Sequence, residues 1–160
     1  MNVTDELAQK IKQVVENKLP EVVAEEAAEY SRTRFSEKAF DGKPWKPVSP
    51  KYKPRRGTLM VRSGALLNSI RVARVTPNKV VISAGNSKVP YARVHNEGFT
   101  GSVVVPAHDR RTKKGKGKTV QVKAHKRMMR IPQRQFLGAC PELERILKRE
   151  AEALFKSILP

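Results

Sequence analysis

SIRVARVTPNKVVISA, residues 69–84, is the stretch on which the fold turns. Its halves are rich in β-branched residues and meet at Pro77 and Asn78, so it predicts a hairpin of strands Ser69–Thr76 and Lys79–Ala84. Immediately upstream, Ser63 can cap a short helix through Leu66 and Leu67.

Further upstream, Gly42 to Gly57 holds Pro44, Pro47, Pro50 and Pro54, which deny the backbone regular hydrogen bonding. Trp45 and Tyr52 supply two large anchors that can hold this loop to a surface. The first forty residues open with Thr4, Asp5 and Glu6, a capping residue and first-turn acids. Leu7, Ile11, Val14 or Val15, Val22 and Val23 follow at helical spacing. Pro20 either kinks this helix or sits in the first turn of a second one, which continues to about Ala39 and ends at Gly42.

Downstream, Asn86 to Pro90 reads as a turn, and Tyr91 to Glu97 as one or two helical turns closed by Gly98 in a left-handed position. A second strand pair is expected between Val103–Pro106 and Thr119–Ala124, with Asp109 to Lys118 between them. The tip, RRTKKGKGK, is too charged and glycine-rich to bury, which predicts a mobile hairpin arm. Pro141 then starts a helix whose Leu143, Ile146, Leu147, Leu154, Phe155 and Ile158 share one face.

This order gives an α+β fold: an antiparallel sheet of about four strands, packed by a long N-terminal helix and a C-terminal helix, with an extended basic loop and arm. A chain of 160 residues suits one domain. Its expected parts are a helical region at 1–41, a Pro-rich basic loop at 42–62, a sheet at 63–138 carrying the arm at 107–118, and a helix at 139–160.

Thirty-three Lys and Arg against fifteen Asp and Glu give a net charge of +18, a self-repelling balance that implies an anionic or acidic partner. The charge is uneven: Lys43 to Arg62 holds seven basic residues and no acid, and Gly101 to Gln135 holds eleven with only Asp109. Cys140, the single cysteine, can form no internal disulfide and fits a reducing cytoplasm. No stretch approaches the roughly eighteen apolar residues of a membrane span, and the N-terminus lacks the pattern of a secretory signal, so neither membrane nor export is expected.

His95, His108 and His125 have no second His, Cys or paired carboxylate at the spacing that a zinc site or a nucleophile system needs. Cys140 beside Pro141 reads as a small buried hydrophobe. Gly115 to Lys118 lacks the spacing and the strand-to-helix context of a nucleotide loop. No enzyme, metal, cofactor or small-molecule substrate is therefore expected. The arm residues Arg110, Arg111, Lys113, Lys114, Lys116 and Lys118 suit phosphate neutralisation, but Trp45, Tyr52 and Tyr91 are not interleaved with them as base stacking would require.

Four segments carry a family resemblance: Phe40-Asp41-Gly42 into Pro44-Trp45-Lys46-Pro47; Leu59 to Leu66; Pro90-Tyr91-Ala92-Arg93-Val94-His95-Asn96-Glu97-Gly98; and Ile131-Pro132-Gln133-Arg134-Gln135-Phe136-Leu137-Gly138. In this order they resemble the phage virion morphogenesis proteins, the tail-completion or tail-terminator group that includes the Mu-like neck proteins. The resemblance implies an α+β subunit without chemistry that completes the tail or the head-to-tail junction. It implies a homo-oligomeric ring, expected to be a hexamer, that meets connector, neck and tail-tube proteins in the virion after assembly in the bacterial cytoplasm. Trp45, Tyr52, Arg134 and Phe136 are its interface candidates. A second class stays open, a sequence-independent nucleic-acid-binding protein whose basic arm touches genome DNA.

Overall fold

A computed structural model describes residues 3–50, 52, 56–111 and 117–158. The N-terminal apolar periodicity becomes helix α1 (Val3–Gln13), one π turn (Val14–Lys18) and helix α2 (Leu19–Glu37). The Leu19 N–H donates to the Val14 carbonyl, five residues back. Pro20, next in line, has no N–H to donate, and the wider turn puts it in the first turn of α2, where that loss costs least. The helix thus passes Pro20 without breaking and stops at Lys38, whose left-handed backbone donates to the Arg34 carbonyl at 2.7 Å.

One face of α2 is buried through Ala24, Ala27, Ala28, Ser31 and Phe35, small residues that let neighbouring backbones come close. On one side lies the expected hairpin, β3 (Arg71–Thr76) and β4 (Lys79–Ser83), closed by Thr76 opposite Lys79 and bulged between Val72 and Arg74. On the other side lies α5 (Pro141–Lys156). Two short strands, β1 (Ala39–Phe40) and β2 (Lys43–Pro44), turn the chain at the end of α2. Phe35, Trp45, Leu66, Ile70, Val89, Ala92 and Phe136 form the main core, with Leu66 on α3 (Ala65–Asn68) and Ala92 on α4 (Ala92–Glu97).

The α5 junction has its own small core of Tyr30, Phe40 and Cys140, against which Leu143 and Ile146 pack. The Tyr30 hydroxyl donates to Glu142 at 2.8 Å, leaving the Cys140 thiol, 3.1 Å away, to donate to the phenol oxygen. Burial, then the bonds to Cys140 and Glu142, push the phenol well above its ordinary pKa. Arg34 lies 4.0 Å over the Tyr30 ring and donates to Glu142 at 3.2 Å. Asp41 accepts from the Glu142 backbone N–H at 3.3 Å, so a residue one hundred and one positions away caps a helix whose own N-cap, Cys140, makes no capping bond.

The fold is α+β, as expected, but among the described residues eight strands form four separate two-stranded antiparallel ladders instead of one sheet of about four. β5 (Phe99–Val105) pairs with β8 (His125–Ile131), and β6 (His108–Arg111) pairs with β7 (Thr119–Val122) in the same register. The two ladders are one long hairpin, interrupted at Pro106, which cannot donate to a partner strand. Thr119–Val122 therefore lies opposite His108–Arg111, and Val103–Val105 opposite His125–Arg127, correcting the expected pairing of Val103–Pro106 with Thr119–Ala124. The arm spans 99–131 where 107–118 was expected, because the alternation of Met129 and Ile131 with Arg130 is a strand too rich in cations to read as one. Among the described elements its strands pack extensively only on each other.

Phe136, 1% exposed against Phe35, is the largest fully buried side chain among the described residues. Phe136→Ala should lower the unfolding free energy by about 3–5 kcal/mol in urea titrations; a loss below about 1 kcal/mol would mean that this core closes without it.

Candidate functional site

Four consecutive residues, Arg134 to Leu137, join the arm to the body, and polar groups from two distant segments hold them. The Arg134 N–H donates to the His95 carbonyl at 2.8 Å, and the Phe136 and Leu137 N–H groups both donate to the Asn96 side-chain oxygen at 3.0 Å. The Asn96 amide donates back to the Leu137 carbonyl at 3.1 Å, so one side chain on α4 supplies the bonds that a neighbouring strand would otherwise make. From the other side the Trp45 indole donates to the Gln135 carbonyl at 2.7 Å.

The Trp45 ring stands edge-on to Phe35 at 5.5 Å, and its backbone N–H donates to the Lys38 carbonyl at 2.7 Å. Arg134 is only 7% exposed, and its guanidinium donates to the carbonyls of Lys46 and Pro47 at 2.8 and 3.2 Å. No carboxylate among the described residues pairs with it, and burial lowers its pKa. Trp45, Arg134 and Phe136 are thus spent inside the chain. They hold the Lys46–Pro50 loop and the root of the arm, and are too buried to form a contact surface themselves.

Gly98 sits where α4 gives way to the arm, with φ +78°, and a Cβ there would lie 2.9 Å from the Gln133 backbone nitrogen. Only glycine allows that approach. An open cleft of about 500 Å³ lies beside it, lined in part by Lys46, Glu97, Arg130 and Gln133.

Tyr52 is the exposed member of the predicted set at 53%, and Arg62 donates to its hydroxyl at 2.6 and 3.0 Å. Arg110 and Arg111 lie exposed on β6, and Lys118 directly precedes β7. Lys113, Lys114 and Lys116 lie outside the described residues. Among the described residues no three His, Cys, Asp or Glu side chains gather as a metal site would need, and no helix is long and apolar enough to cross a membrane.

The model of the phage virion morphogenesis family matches residues 2–155, nearly the whole chain. The chain belongs to the phage virion morphogenesis family. No curated protein and no solved structure matches it. The family is one of structural and assembly proteins, so this member's role lies in building the virion. Three of the four segments that carry the family resemblance meet at one junction: Trp45 from the first, His95 and Asn96 from the third, Arg134 to Leu137 from the fourth. The second reaches the same core through Leu66.

Asn96 was invisible as a brace in the sequence, its only signal being a turn-favouring residue inside a short helix. His95 was seen and set aside as a ligand. Its Nδ1 is buried without a partner among the described residues, and Tyr91 stands edge-on to the ring at 5.8 Å. Burial first, and the nearby Arg134 charge second, hold its pKa below the ordinary 6.5.

Asn96→Ala strands two N–H groups and should cost about 1–3 kcal/mol by urea unfolding, with near-neutral behaviour arguing that water replaces the amide. For His95, the fold favours the neutral ring, so the unfolded chain binds more protons once the pH drops below its ordinary pKa of 6.5. Its stability is whole above 6.5 and is lost as pH falls through that value toward the lower folded one. Between about pH 7 and pH 5 the unfolding free energy should therefore fall, and less steeply in His95→Gln; an identical slope in that variant would place the pH dependence on another group.

Proposed function

We propose that this protein is a non-enzymatic tail-completion protein, one α+β domain that closes the head-to-tail neck or the tail terminus as a ring of its own copies. The observation that carries this reading is the long basic arm, rooted at Arg134–Leu137, whose strands pack extensively only on each other among the described helices and strands. Such an arm adds little to the stability of a lone subunit, so its use lies between subunits. A ring of six is the closure that the family resemblance implies. Acidic faces of connector, neck and tail-tube proteins are the fitting partners, since complementary charge sets encounter rate and register. The protein would assemble in the host cytoplasm and end in the virion.

A second reading rests on the same charge. From Asp109 to Arg130 the arm carries a single acid, Asp109, and genome DNA passing a neck would meet it as backbone phosphate. The two readings are compatible, a basic lumen holding DNA without reading its sequence.

Mass photometry across protein concentration, at low and high salt, with and without duplex DNA, tests both. A discrete oligomer that ignores DNA is the expected outcome. A monomer that shifts onto DNA, with log affinity falling linearly in log salt and the shift abolished by Lys113→Glu, Lys114→Glu, Lys116→Glu and Lys118→Glu together, would establish the second reading in its place.

A further inference from the structure

The arm has two unlike faces. Cross-strand partners share a face, so Phe99, Val103, Val105, Met129 and Ile131 lie together on one, and all five are half-buried. The other face carries Val104 opposite Lys126, Met128 opposite Ser102, Arg130 opposite Thr100 and, beyond the Pro106 interruption, Arg110 opposite Val120. It holds no acid, because Asp109 alternates onto the first face. Its apolar side chains are the unusual feature: Met128 is 70% exposed, Val104 67% and Val120 49%. Phosphates need the cations but have no use for three exposed apolar groups among them, whereas a protein surface uses both.

The complementary surface is on the same chain. Glu21, Glu25 and Glu29 recur every fourth residue along the exposed side of α2, with half-buried Val22 next to them. Glu29 pairs with Arg32 at 3.6 Å, while Glu21 and Glu25 form no ion pair with any described residue. The lengths agree: Glu21 to Glu29 spans about 12 Å at the helical rise, and Lys126 to Arg130 about 13 Å along a strand.

We infer that the acid-free face of the arm docks on the Glu21–Glu25–Glu29 ridge of a second copy, Lys126 and Arg130 meeting the carboxylates while Val104 and Met128 cover the apolar flank. This rests on the ring reading and names the contact that would build it. Arm and ridge are different surfaces, so the contact is head-to-tail, and such contacts close into a ring when the rotation between neighbours allows. The arm is about 40 Å long at the strand rise and about 10 Å across, so this face offers about 400 Å². That is half of the roughly 800 Å² per partner of a stable interface, so association through it is weak and concentration-dependent until the ring closes.

The test is charge reversal on either side, read by native mass across concentration, with circular dichroism confirming that each exposed-site variant is folded. Lys126→Glu with Arg130→Glu, and separately Glu21→Lys with Glu25→Lys, should each raise the association midpoint at least about tenfold. Mixing the two variants should restore the wild-type oligomer, since the acidic arm of one then meets the basic ridge of the other. Wild-type oligomers left unchanged by both reversals would overturn the docking and leave the ring standing, whereas a wild-type protein monomeric at every concentration would overturn both. Unchanged mass with loss of duplex-DNA binding in the arm variant would overturn the docking and assign this face to phosphate.

Discussion

The stretch from Arg134 to Leu137 has to cross the core between α4 and the Trp45 loop, and every polar group it brings inside has to find a partner there. Asn96, His95 and Trp45 supply those partners, and Arg134 in turn satisfies the carbonyls of Lys46 and Pro47. Phe136 is pinned against Phe35 by the same bonds. The loop, α4, α2 and the arm are thus positioned by one crossing, and displacing it would release all four. A buried guanidinium answered only by carbonyls is a costly brace. It is tolerated because those carbonyls belong to a proline-rich loop that has few other ways to satisfy them.

The root explains how the arm is held at its base. A two-stranded ribbon is marginal alone in water. Here its two ends enter the core together, β5 directly after Gly98 and β8 three residues before Arg134, so the body holds the strands in register at the base. Charge acts in the same direction: the cations concentrated on the ribbon repel one another and the other cations of a chain of net charge +18. An arm so placed is more useful to a neighbour than to its own subunit, which agrees with a family that builds virions.

Much of this architecture was legible in the chain. The hairpin at 69–84, the long first helix and the last helix follow from β-branched runs, from apolar residues at helical spacing and from Pro141 at a helix start. The arm was legible as a charged tip but not in length, since cations occupy positions that a strand reader expects to be apolar. Of the interface candidates, Tyr52 stands in solvent, whereas Trp45, Arg134 and Phe136 are internal braces. An aromatic between prolines and an arginine beside a phenylalanine look alike in sequence whether they face out or in.

Sequence by itself therefore determined the elements, the α+β class, the family and the surplus of positive charge, because those rest on local propensity, periodicity and composition. Only the tertiary structure decided that Asn96 would stand in for a strand, that Asp41 would cap α5 from across the chain and that the strands would form separate two-stranded ladders instead of one sheet. Those outcomes depend on which polar groups lose water together, and residues ninety or more positions apart, such as Trp45 and Gln135, carry no local sign that they will meet.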